Sequence, residues 1–198
     1  MFGQNNKLKF LLVTAFLATI MNDLSANTQA NYAAKKLQPR DAELVVRKAI
    51  VAGGTVNLLE NQGQSRTRGV NDFDGDRLTN GRNFIIDGIT LNYGVGVTGT
   101  ATPQSVDYTT ALPAALKTAN IIIKQNGVTR ASLSVASINE AKSSDERYRF
   151  LEAFALLREE TTTSIELEFG AGTDLAPGAS NTGFVEVILR GFETYVKS

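Results

Sequence analysis

The chain contains no cysteine and no histidine. Without cysteine there is no thiolate nucleophile, no disulfide and no cysteine-ligated zinc, and the redox compartment leaves no trace. Without histidine there is no Ser-His-Asp relay and no imidazole to act as acid or base near neutral pH. Any catalysis would fall to carboxylates, Lys, Tyr or Ser/Thr. Net charge is lacking as well. The chain has 20 basic and 20 acidic residues, so as a whole it carries neither the electrostatic footprint of a nucleic-acid binder nor a disordered composition. It also has no internal repeat and no low-complexity segment, and no linker divides residues 41–198.

What is present is distributed unevenly. Residues 1–40 hold Lys7, Lys9, Lys35, Lys36 and Arg40 against Asp23 alone, a net of +4, which leaves −4 for the rest. Inside this basic segment, "NKLKFLLVTAFLATIMNDLSANTQA" places an apolar run from Phe10 to Met21 after two lysines. Two readings follow. One is a secretory signal peptide cleaved after Ala26 or Ala30, too short to span a bilayer. The other is a retained helical arm over about 6–36, with Leu8, Leu11, Leu12, Ala15, Phe16 and Thr19 near helical spacing. Such a helix is apolar nearly all round and needs a neighbour to bury it.

Residues 41–198 read as β-structure. "ELVVRKAIV" (43–51) and "TVNLLE" (55–60) are expected strands separated by a glycine-rich turn. "NFIIDGITLNYGVGV" alternates, with Ile85, Ile89, Leu91 and Tyr93 as the better core side and a bulge or bend at Gly88. Asn126-Gly127 is a type I′ hairpin signal, and the alternation after it runs through Ala136. A helical turn is expected after Pro113. Residues 146–158 fit either a helix, with Ser143 and Glu146 in capping-box spacing, or a strand. "TTTSIELEFG" turns Ile165, Leu167 and Phe169 inward. In "FVEVILRGFETYV", Val185, Val187 and Leu189 share the core face. Phe184, Ile188 and Phe192 share the other with Glu186 and Arg190, which requires a cover from the arm or a neighbouring subunit.

Four motifs invite a chemical reading. Asp72, Asp74 and Asp76 fill the first three ligand slots of an EF-hand-type calcium loop. The match fails at Arg77, where the turn needs Gly, and at Asn83, where a bidentate Glu belongs. The duller reading is a solvated polar turn. Glu166 and Glu168 lie about 7 Å apart on one face of one strand, a spacing open to an inverting glycosidase, but no third group is in view to raise either pKa. "GVGVTG" (94–99) lacks the Lys and the following helix of a phosphate loop. Arg66, Arg68, Arg77 and Arg82 surround the aspartates as exposed ion-pair partners or as contacts to another subunit. No catalytic residue, cofactor or small-molecule substrate is assigned.

Taken together, "VVRKAIVAGGTVNLLEN", "NDFDGDRLTNGRNFIIDGITLNYG", "SIELEFG" and "FVEVILRGFETYV" resemble jelly-roll capsid proteins of small tailless icosahedral bacteriophages, some of which enclose a membrane. The resemblance covers residues 41–198 and lies in texture and order, not in a signature motif. It implies an all-β fold: a single jelly-roll β-sandwich over 41–198 behind an N-terminal helical arm over 1–40. It implies a structural virion protein that builds an icosahedral shell through its edges and arm. Its partners would be copies of itself and other virion proteins, with the arm reaching neighbouring subunits, an internal membrane or the genome. The length suits one barrel, and main shell, vertex or another virion component all stay open. The rival expectation is a secreted β-sandwich binding module, an adhesin or carbohydrate-binding domain, with a cleaved signal peptide.

Overall fold

Alternating apolar residues become eight strands, and a computed structural model describes them over residues 2–50, 53–63, 65–142, 146–175 and 177–197. The N-terminal segment forms α1 (Phe2–Ile20), a 3-10 turn (Met21–Asp23) and α2 (Ala26–Ala33). The body follows as β1 (Leu37–Ile50), β2 (Thr55–Asn57), β3 (Phe84–Val97), α3 (Ala114–Lys117), β4 (Asn120–Gln125) and β5 (Val128–Ser134). It closes with α4 (Val135–Glu140), β6 (Arg149–Leu157), β7 (Thr163–Glu168) and β8 (Asn181–Val196).

The strands form two four-stranded antiparallel sheets, ordered β1-β8-β3-β6 and β2-β7-β4-β5. β1 pairs with β8, β2 with β7, β3 with β6 and β4 with β5, so each strand meets the one equally far from the other end of the series. The sheets pack as a β-sandwich. Between them lie Leu44 and Val46 of β1, Val185, Val187 and Leu189 of β8, Ile121 and Ile123 of β4, and Ile165 and Leu167 of β7. All of these are fully buried, each stabilising the fold by about 1.5–3 kcal/mol. The terminal strand thus faces the core as its alternation predicts.

β3 departs from simple alternation. Its register against both β6 and β8 shifts between Ile86 and Gly88. The bulge at Asp87 reverses the phase, so Phe84 and Ile86 face the core before it and Ile89, Leu91 and Tyr93 after it. Ile85, expected with the latter three, points out of the sandwich instead. A one-residue insertion flips every side chain beyond it to the other face.

Other expectations are corrected or resolved. β2 ends at Asn57, because Glu60 N–H bonds Asn57 O in a turn while Leu58 and Leu59 are buried. β5 ends at Ser134, whose hydroxyl accepts the Ser137 N–H at 3.2 Å and caps α4, so Val135 and Ala136 are helical. Residues 149–157 are strand; Ser143 lies outside the described residues. Residues 151–154 leave the β3 ladder between Phe150 and Ala155. The Asn126-Gly127 turn has positive φ at both residues, as type I′ requires. The turn after Pro113 is α3.

Three segments close what the sandwich leaves open. Beside β1, Arg47 N–H bonds Val70 O at 2.7 Å and Asp72 N–H bonds Val45 O at 3.0 Å. The Asp72 carboxylate accepts the Val45 N–H at 2.9 Å. The loop after β3 lies on Gly94 and Gly96, where a Cβ would overlap Val106, Asp107 or Ala101. The Phe184 ring is buried beside it. The N-terminal segment covers the remaining outer face of the first sheet. Val13, Leu17 and Leu24 bury Ile85, Leu156 and Phe192. Phe192 therefore has the cover its position demanded, and Ile188, between the two covers, is half-buried. Among the described residues no helix is long and apolar enough to cross a membrane.

Candidate functional site

The acidic loop follows β2 and is anchored by Phe73, which is fully buried. Asn71 builds the turn around it: its Oδ1 accepts the Phe73 N–H at 2.9 Å and its Nδ2 donates to Gly75 O at 3.2 Å. Asp74 and Arg77 then close a small hairpin through reciprocal backbone bonds of 2.8 and 3.2 Å, with Gly75 at φ 63°.

This scaffold sends the three aspartates to separate partners. Asp72 accepts from Arg66 at 2.5 and 2.8 Å as well as from Val45. Asp74 accepts the Arg66 N–H at 3.1 Å, and Asp76 pairs with Arg77 at 3.3 Å. Asn83 sits away from them, fully buried, accepting the Glu159 N–H at 3.1 Å and bonding Thr194 through its own backbone. Among the described residues no group of three or more acidic side chains is placed to hold a metal ion. Asp74 and Asp76 instead line an open cleft of about 920 Å³ with Glu60, Asn61, Gln62 and Arg77.

The arginines divide. Arg66 and Arg77 form the exposed loop pairs expected of them. Arg82 does not: it reaches Glu193 of β8 at 2.7 Å and donates to Asp72 O at 3.0 Å. Arg40, cross-strand from Glu193, grips the same carboxylate through Nε at 2.7 Å. Burial would raise the Glu193 pKa, but hydrogen bonds from Arg82 and Arg40 outweigh it and hold the carboxyl below its usual range.

Glu166 and Glu168 stand on the outer face of the second sheet. Glu166 accepts from Lys124 at 2.5 Å and Ser164 at 2.7 Å. The Lys124 hydrogen bond, ahead of the opposing effect of burial, lowers its pKa, the opposite of what a general acid requires. Glycines 94 and 96 are strand residues that admit a loop, as described above.

Polar groups also converge where the arm meets the body. Glu159, just beyond β6, accepts from Ser25 at 2.5 Å, from Thr28 at 2.8 Å and from the Gly81 N–H. Ser25 also caps α2 through the Thr28 N–H. Burial pushes the Glu159 pKa up, but the hydrogen bonds from Ser25, Gly81, Thr28 and Asn83 prevail and lower it. At the other end Lys9 bonds Asp87 at 2.7 Å and lies 4.2 Å above the Phe150 ring. Phe16 packs on Phe154 with ring centroids 5.5 Å apart, and Asp23 lies 3.8 Å from Arg158. The arm is thus fastened by apolar contact along its length and by buried carboxylates of the body at both ends.

The opposite side of α1 is bare. Leu8, Leu11 and Leu12 are 57%, 63% and 50% exposed. Their spacing was visible in the sequence; which side of so uniformly apolar a helix would dock was not. Glu159 and Glu193 were missed because their partners lie 76 to 153 residues away in the chain. No protein-family model matches the chain, and no curated protein matches it.

Proposed function

We propose that this is a structural virion protein: a single jelly-roll capsid subunit that self-assembles into an icosahedral shell, with copies of itself and other virion proteins as partners. The observation that carries the reading is the strand pairing. Eight strands folded double into one ribbon and rolled around a barrel must pair first with eighth, second with seventh, third with sixth and fourth with fifth, and all four pairings are present. That topology also serves lectins and cupins. The arm is what favours a shell subunit over a secreted module. Cleavage after Ala26 or Ala30 would strip Val13, Leu17 and Leu24 from Ile85, Leu156 and Phe192 and part Ser25 from Glu159. That joining supports a retained arm over a cleaved leader.

The test is sedimentation velocity with negative-stain imaging of the full chain, and N-terminal sequencing of the native protein. Closed particles built from chains that retain the arm are expected. A monomer at every concentration, with its N-terminus at Asn27 or Asn31, would overturn the reading in favour of a secreted binding module.

A further inference from the structure

We infer that α1 pairs antiparallel with α1 of a second copy of this chain, across a two-fold axis near its middle. The inference rests on the assembly reading for its setting and on the helix surface for its content. With Val13 and Leu17 turned to the body, the opposite side presents Leu8, Leu11 and Leu12, then Ala15, Ala18 and Thr19 one or two turns further on, all exposed. The stripe is large at its N-terminal end and small at its C-terminal end. Antiparallel pairing lays the large end of each helix on the small end of the other: Leu8 over Thr19, Leu12 over Ala15. Parallel pairing would set leucine on leucine at one end and leave a gap at the other. A two-fold contact of this kind uses one patch twice, as closed homo-oligomers do.

Charge agrees with this orientation. From residue 2 to 20 the helix has no acidic residue and two lysines: Lys9 is taken by Asp87, and antiparallel pairing sets Lys7 across from position 20, roughly 20 Å along the axis from the other Lys7. No like charges would meet across the stripe, and the helix dipoles run in opposite directions, the favourable arrangement. Area sets the strength. Three half-exposed leucines and the small residues beside them offer roughly 400 Å² per copy, so a pair buries about 800 Å², below the 1,200–2,000 Å² of stable complexes. The contact is weak singly and suited to a structure that repeats it.

The absence of cysteine permits a direct test. Leu8 and Thr19 stand about 16 Å apart along the helix at 1.5 Å per residue. In the full chain, Leu8→Cys and Thr19→Cys variants are oxidised separately and mixed. Antiparallel pairing predicts a disulfide-linked dimer from the mixture, little from either variant alone, and at least a tenfold loss when both also carry Leu12→Asp. Dimers from each variant alone would overturn the orientation. No dimer in any arm would overturn the pairing, including the case where the chain instead floats with phosphatidylcholine/phosphatidylglycerol vesicles and Leu12→Asp abolishes that. Particles without the mixed dimer would sink the pairing and leave the shell reading standing. The mixed dimer without larger particles would do the reverse.

Discussion

The two sheets of the sandwich share a core yet differ on their outer faces. The second sheet carries Glu166, Lys124, Ser164 and Glu168 outward, where water or a short ion pair satisfies them. The first carries Ile85, Phe184 and Phe192 outward, and all three are buried. A loop seated on two glycines covers one end of it, and α1 with α2 covers the other. One sheet is finished by its own alternation. The other is finished only when distant parts of the chain arrive. Perturbations of the two faces should therefore differ in size, with the shared core as the reference.

Val187→Asp strikes that core and should have the largest effect. It buries a carboxylate with no partner, at a cost of several kcal/mol against a total of about 5–15. The far-ultraviolet circular dichroism of the native fold should be lost. Deleting residues 1–24 should come next. The body keeps its sandwich but exposes Ile85, Leu156 and Phe192 and leaves Asp87 without Lys9. Loss of about 4 kcal/mol, or about 10 °C in melting temperature, is expected, with new binding of a hydrophobic dye. An unchanged melting temperature would mean that the arm is no part of the core.

Acid should act between these and the surface changes. Glu159 and Glu193 are held below the ordinary carboxylate range in the fold. Each therefore contributes stability in full above the unfolded value of about 4.3, and the contribution is lost as pH falls through the lower folded value. Stability should fall steeply below about pH 4. Glu159→Gln should lower it at pH 7 by about 1–3 kcal/mol and flatten the acid limb, read by urea melts across pH. Smallest should be Glu166→Ala on the second sheet, under about 1 kcal/mol, because its pair with Lys124 is partly exposed. If Glu166→Ala cost as much as Glu159→Gln, the contrast between the faces would fail.

Legibility followed the same divide. Val185, Val187 and Leu189 could be placed because β8 runs without a bulge. Ile165 and Leu167 could be placed because glutamates alternate with them. In β3 Gly88 signalled an irregularity, but alternation alone does not say on which side the phase resumes, and Ile85 went to the wrong face. The aspartates of the loop could be named with Arg66 and Arg77 as ion-pair partners, but not the second bond of Asp72, to the backbone of β1. Nearness in sequence groups Arg82 with that loop, where it does bond the Asp72 carbonyl, but its ion pair is with Glu193, more than 100 residues on. Contacts made by chain distant in sequence leave no period to read.

The strip of chain beside β1 bears on how the edge of the first sheet resists strand addition. An open strand is a template: its unused donors and acceptors invite a foreign strand, and repeated addition grows a fibril. At Val45 and Arg47 those donors are already spent on Asp72 and Val70. A strand arriving there must first displace the Asp72 carboxylate, which Arg66 also holds. The aspartate thus works as a guard on this stretch of the sheet margin.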